Sequence, residues 1–136
     1  MVGRQGFATT PNDTLNGGYT ANVLTGGAGD DQLYGDAGAD VFVFDQSPAA
    51  GGTDRIVDFV LGVDRIDLSA MDADALPAGD QSFTFIGAAL FSGVAGELRY
   101  DAVTGRLLGD VTGNANADLT VNLDGVAALG FGDLIL

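Results

Sequence analysis

The residues best suited to chemistry in this chain are aspartates set at a fixed interval among glycines, and the chemistry they suit is the binding of a hard cation by oxygen. Aligned in steps of nine, residues 8 to 43 form four rows. The third row, Gly26-Gly27-Ala28-Gly29-Asp30-Asp31-Gln32-Leu33-Tyr34, satisfies the pattern G-G-x-G-x-D-x-U-x at every fixed position, U being a large apolar residue. The fourth, Gly35-Asp36-Ala37-Gly38-Ala39-Asp40-Val41-Phe42-Val43, departs from it only in Asp36. The second, Gly17-Gly18-Tyr19-Thr20-Ala21-Asn22-Val23-Leu24-Thr25, has Thr20 for the third glycine and Asn22 for the aspartate. The first, Ala8 to Asn16, keeps only Asp13 and Leu15.

Turns and very short strands must position such rows. Glycine permits positive φ, so the chain turns sharply with its carbonyls directed inward, and the aspartate that follows adds a charged oxygen beside them. The x-U-x triplet then runs as a strand whose one apolar side chain faces the interior. Leu15, Leu24, Leu33 and Phe42 form that interior ladder. Two rows complete one turn of a coil, which puts Asp13 and Asp31 on one side and Asn22 and Asp40 on the other. Superposed loops offer carbonyl and carboxylate oxygens to one ion, the coordination calcium prefers. Without a cation the carboxylates repel and the glycine-rich backbone is costly to order, so folding and calcium binding are expected to be one event. The competing reading is a flexible linker. A linker, however, does not place an apolar residue two positions after Asp or Asn in four successive rows.

Beyond Phe44 the repeat stops, and Gln46 to Gly52 reads as a loop. Thr53 to Ser69 follows as two short apolar strands around a turn at Gly62, punctuated by Asp54, Asp58, Asp64 and Asp67. Residues 69 to 80 suggest a short helical turn ended by Pro77. Strands are expected at 82–86, 96–100, 106–110 and 118–123, forming antiparallel hairpins packed as a small sandwich, with Gly105 at one bend. Asp110, Thr112, Asn114, Asn116 and Asp118 alternate oxygens as an EF-type calcium loop does. Ala115 stands where that loop needs glycine and no glutamate closes it, so a polar hairpin turn is the better reading.

Composition narrows the classes. The net charge is −14, from five Arg, no Lys, eighteen Asp and one Glu, which disfavours nucleic acid and anionic membrane surfaces as partners. Cys and His are both absent, which removes disulfides, zinc sites and nucleophile–histidine catalysis. A bound hard cation could staple the fold instead. No run of about 18 apolar residues offers a membrane span, and the opening residues lack the apolar region of a Sec-type signal.

The rows resemble the RTX (repeat-in-toxin) nonapeptides of secreted bacterial proteases, lipases, cytolysins and adhesins. The segment Asp54-Arg55-Ile56-Val57-Asp58-Phe59 onward to Asp67-Leu68-Ser69, with Asp40 to Phe44 before it, resembles the serralysin-type C-terminal domain. The terminal Asp133-Leu134-Ile135-Leu136, acidic then apolar, is similar to the signal of type I secretion substrates. The resemblance implies an all-β fold: a short right-handed parallel β-roll of repeats over residues 1–44, continuing into an antiparallel, sandwich-like cap over 45–136. It also implies the calcium ligands. Gly18, Thr20 and Asn22 would face Gly35, Ala37 and Asp40, while Thr9, Pro11 and Asp13 would face Gly26, Ala28 and Asp31. Gly27, Gly29 and Asp31 make the best half-site, Gly38 is the matching glycine of the fourth row, and Asp54 or Asp58 would complete the last site. Asn22 removes one charge from its own site.

The function expected on this basis is that of a non-catalytic module, secreted by a type I ABC-transporter machinery, that folds on calcium outside the cell. The alternative is an accessory module of a larger secreted enzyme, such as an epimerase or protease, or of a biofilm adhesin, binding polysaccharide or the cell surface. An enzyme acting through paired aspartates is the weakest reading, since those residues already have metal and turn roles. The HExxH helix of a zinc protease is missing from these residues, so any catalytic or adhesin domain would lie upstream of Met1.

Overall fold

Strands three residues long alternate with the turns, and in the four nonapeptide rows each buries its central side chain. In the computed structural model, which describes residues 5–7, 12–45, 52–74 and 81–136, they are β1 (Gln5–Phe7), β2 (Thr14–Asn16), β3 (Val23–Thr25), β4 (Gln32–Tyr34) and β5 (Val41–Val43). Successive strands alternate between two sheets: β1, β3 and β5 pair in parallel in one, β2 and β4 in the other. Leu15 lies opposite Leu33, and Leu24 opposite Phe42. That register superposes alternate rows, as the nine-residue repeat requires.

The parallel ladders run on past Phe44. β6 (Thr53–Ile56) pairs with β4, placing Ile56 beside Leu33, and β7 (Arg65–Asp67) pairs with β5, placing Ile66 beside Phe42. The ladder residues Leu24, Leu33, Phe42, Ile56 and Ile66 are at most 1% exposed, so the apolar ladder continues where the nonapeptide pattern has ended.

β6 joins the coil to the rest of the molecule. Its far edge pairs in parallel with β11 (Leu119–Leu123), from which antiparallel β10 (Arg106–Asp110) and β9 (Glu97–Asp101) extend the sheet to β8 (Thr84–Phe85). The second sheet therefore runs β2-β4-β6-β11-β10-β9-β8. The first runs β1-β3-β5-β7-β12, where β12 (Leu134–Ile135) follows the 3-10 turn η1 (Phe131–Asp133). One buried apolar cluster spans both, from Leu15 to Leu134.

Among the described residues, antiparallel hairpins form only at β9–β10–β11. The β9–β10 bend closes through the Gly105 N–H to the Asp101 carbonyl at 2.8 Å, with Gly105 at φ 70. β8 instead lies parallel to β9, and β11 parallel to β6. Their connections are long crossovers rather than the two-to-five-residue loops of hairpins. Residues 69–74 are turns and bends rather than helix. The rest of the stretch ending at Pro77, and the loop at 46–51, lie outside the described residues.

Because Ile56 is fully buried at the strand shared by coil and cap, Ile56→Ala is expected to destabilise the folded protein by about 2–5 kcal/mol in denaturant unfolding. Both parts should unfold in one transition.

Candidate metal centre

The turns between the strands stack in two columns, and each column is tied by aspartates. In the first, the Asp31 carboxylate accepts the Asp13 N–H at 2.7 Å, and the Asp54 carboxylate accepts the Asp31 N–H at 2.9 Å. In the second, Asp40 accepts the Asn22 N–H at 2.8 Å, and Asp64 accepts the Asp40 N–H at 2.9 Å. Each aspartate thus holds the turn one coil below it through a single oxygen. An outer ladder runs in the opposite sense: Asn12 accepts from the Asp30 N–H, and Asp30 from the Thr53 N–H.

The second carboxylate oxygen is the informative one. Oδ2 of Asp31 and Oδ2 of Asp40 are buried and meet no hydrogen-bond donor, in residues 1% and 0% exposed. A buried charged acceptor left unmet costs well over the 1–3 kcal/mol of a neutral group. The first glycine of each row makes room for this oxygen: a Cβ on Gly26 would fall 2.6 Å from Asp31 Oδ2, and one on Gly35 would fall closer still to Asp40 Oδ2. Space, rather than positive φ, explains glycine at these two positions. Gly38 has both reasons: its φ is 113, and a Cβ there would meet the Thr20 carbonyl carbon at 2.6 Å.

Four buried carboxyls are displaced upward from the ordinary range. Burial pushes Asp54 up to about 7 against the pull of the Asp31 N–H, and the charges of Asp31 and Asp30 add to it. Burial likewise raises Asp31, Asp40 and Asp64, over the opposing N–H bonds from Asp13, Asn22 and Asp40 respectively. Neighbouring carboxylates reinforce each shift: Asp13 and Asp30 on Asp31, Asp64 and Asp58 on Asp40, and Asp58 on Asp64. Such a column disfavours its own ionised form, which is the setting that a divalent cation relieves.

No group of three carboxylates converges on one point among the described residues. A cation here would be held by one buried carboxylate oxygen and the carbonyls of stacked turns, a donor set that suits calcium's preference for several oxygens in flexible geometry. Those turns contain Gly26, Gly27, Ala28 and Gly29 in one column and Gly18, Thr20, Gly35, Ala37 and Gly38 in the other. In the second column the Ala37 N–H donates to the Gly18 carbonyl at 3.0 Å. Thr9 and Pro11 lie outside the described residues.

Asp54 and Asp58, both singled out in the sequence, have different places. Asp54 extends the Asp31 column. Asp58 turns both oxygens to N–H groups of the fourth row, Gly35 at 2.8 Å and Asp36 at 2.9 Å, and so caps that turn. The residue that extends the Asp40 column is Asp64, which sequence reasoning did not place in a site. Its signal was present: Asp64-x-Ile66 repeats the spacing of Asp31-x-Leu33, Asp40-x-Phe42 and Asp54-x-Ile56.

The EF-like loop is a polar turn. Asp110 accepts the N–H groups of Thr112, Gly113 and Ala115, and Asp118 accepts from Val111 and Thr112. Burial pulls the Asp110 carboxyl up, but the N–H donors of Ala115, Gly113, Thr112 and Asn114 together outweigh it and hold the group below its ordinary value. At the other end, Asp133 accepts from Gly62 and Gly130, and β12 pairs in parallel with β7. Leu134 is buried and Leu136 packs against the core.

Residues 10–136 match the family described as Peptidase M10 serralysin C terminal. The chain belongs to that family. It is 45% identical to the metalloprotease AprA of Pseudomonas entomophila (strain L48) over 87% of its own length and 30% of that protein's, so it spans under a third of that relative. Its fold is similar to the solution structure of the AlgE6R3 subunit of the Azotobacter vinelandii mannuronan C5-epimerase, with 25% identity, a TM-score of 0.51, and coverage of 97% of this chain and 78% of that one. The serralysin C-terminal domain is a part of secreted bacterial metalloproteases, and it is that part, rather than a catalytic domain, that residues 10–136 represent. No helix among the described residues is long and apolar enough to cross a membrane.

The sign of the Asp54 shift gives a pH prediction for the calcium-stripped protein. An acid raised to about 7 on folding takes up a proton when it is buried, so its contribution to stability is full below about pH 4 and is lost as pH rises through about 7. Stripped protein should therefore resist urea better at about pH 5 than at about pH 8, and saturating calcium should flatten the difference.

Proposed function

We propose that this chain is a non-catalytic, calcium-binding module that folds when it meets calcium outside the cell, and that its last residues are the address for type I export. The observation that carries the reading is the pair of buried, donorless oxygens on Asp31 and Asp40 at the mouths of stacked glycine turns. Calcium, when bound, supplies positive charge and oxygen coordination at those turns. Everything else is done by the chain. Asp31, Asp40, Asp54 and Asp64 fix the register of successive turns through their N–H bonds. The glycines leave room for the carboxylates, and the apolar ladder closes once the turns are in register. Gly26, Gly27, Ala28 and Gly29 with Asp31, and Gly38 with Asp40, are the residues assigned to hold the ion.

Calcium is scarce in the cytosol and near millimolar outside, which suits weak extracellular sites of about 10⁻⁴–10⁻³ M. A chain unfolded for want of calcium can thread a channel, and one folded by calcium cannot return. Residues 1–44 supply the nonapeptide rows and residues 45–136 the cap, which gives β6 and β7 back to the coil. Asp133-Leu134-Ile135-Leu136 is assigned as the export signal, and any catalytic or adhesin domain would lie upstream. The likeness to a subunit of a mannuronan epimerase favours a second reading, an accessory module that touches acidic polysaccharide. With a net charge of −14, such contact would need calcium to bridge the two polyanions.

Calorimetric titration of calcium-stripped protein, with circular dichroism on the same samples, is expected to give saturable binding and a gain of β-structure. No heat and an unchanged spectrum would sink the folding switch. Removing residues 133–136 should reduce export through a type I channel to background while leaving the number of bound ions unchanged. Undiminished export would place the address elsewhere.

A further inference from the structure

The second row differs from the two after it at the atom that matters. Where a Cβ on Gly26 would meet Asp31 Oδ2 at 2.6 Å, one on Gly17 would meet Asn22 Nδ2 at 2.7 Å. The amide nitrogen thus occupies the position of the donorless oxygen. It donates to the Thr20 carbonyl at 2.5 Å and reaches Asp40 Oδ1 at 3.4 Å. Both neighbours are acceptors only, which fixes the amide's orientation, since the flipped side chain would set oxygen against oxygen.

One of these oxygens belongs to the turn at 17–22 and the other to the turn one coil later at 35–40, so the amide bridges the two turns. Asn22 also brings no charge, so Asp40 is spared a facing carboxylate. The surroundings are closed as well: Asn22 is 3% exposed, and Gly38 lies so near Thr20 that a Cβ would come within 2.9 Å of its carbonyl oxygen. Row three has no such donor at Asp31 Oδ2.

We propose that the Asn22 amide is an internal substitute for a calcium ion, closing the pair of turns at 17–22 and 35–40 without metal so that this pair binds no ion. The inference rests on the reading of the chain as a calcium module and assigns its ions to the turns of Asp31, and of Asp40 toward Asp64, instead. Asn22 is then a lock rather than a weakened ligand, and the residues facing it serve structure there and not coordination.

The test is a count of calcium ions per chain, by native mass spectrometry and by equilibrium dialysis, for wild type, Asn22→Asp and Asn22→Ala. Asn22→Asp should gain one ion over wild type, because it restores a carboxylate and removes the competing donor. Asn22→Ala should keep the wild-type count while unfolding at lower denaturant in saturating calcium. An unchanged count in a folded Asn22→Asp protein, or the loss of one ion in Asn22→Ala, would overturn the proposal while leaving the calcium module standing. Should Asn22→Asp not fold, the alanine variant still decides between lock and ligand. A wild-type count of zero would overturn the calcium module itself, and this inference with it.

Discussion

Carboxylates stacked one coil apart in a buried column cannot all stay charged without a cation, and most of this structure follows from that constraint. The repeat places an aspartate, or Asn22 in the second row, at the same point of each turn, and the parallel register superposes them. Each aspartate spends one oxygen on the N–H of the turn below, which orders the backbone. The other oxygen of Asp31 and of Asp40 is left buried beside a glycine, with no donor. Burial drives their carboxyls upward toward the neutral form, and Asp54 as far as about 7. The ion pair between Arg55 and Asp124 lies on the outside, where solvent screens it.

The apolar ladder and the carboxylate columns are two halves of one device. A three-residue strand buries one side chain and offers few ladder bonds, too little to fold alone. Stacking multiplies both, but only with the turns in register, and the register bonds run through the aspartates. The cap depends on the same alignment. β6 carries Asp54 in the column, Ile56 in the core, and the edge on which β11 is built. β7 carries Ile66, follows Asp64, and seats the terminal strand β12. A neutral column therefore supports the final strand of the chain as well as the coil.

The coil was legible because its rules are local and periodic. A nine-residue row with one apolar position fixes strand length, the buried face and the pairing of alternate rows, and Leu15, Leu24, Leu33 and Phe42 lie where the period puts them. The period breaks after Phe44, and legibility breaks with it. Ile56 and Ile66 continue the ladder at a longer spacing that no fixed repeat announces, although the Asp-x-apolar triplet survives and would have found Asp64. The resemblance to the serralysin-type domain offers Asp58 beside Asp54 to complete the last site. Only the fold shows that both of its oxygens face the N–H groups of Gly35 and Asp36. The parallel placement of β8 and β11 depends on long crossovers, and nothing in their own residues distinguishes it from a run of hairpins.

The central claim, that these buried oxygens are ligands, is tested most directly by locating the ion. Crystals grown with calcium, or with a lanthanide in its place, should show an anomalous peak about 2.3–2.6 Å from Asp31 Oδ2 and another at the same range from Asp40 Oδ2, each completed by turn carbonyls. Well-ordered turns with no peak, and with water or a proton meeting those oxygens instead, would contradict it.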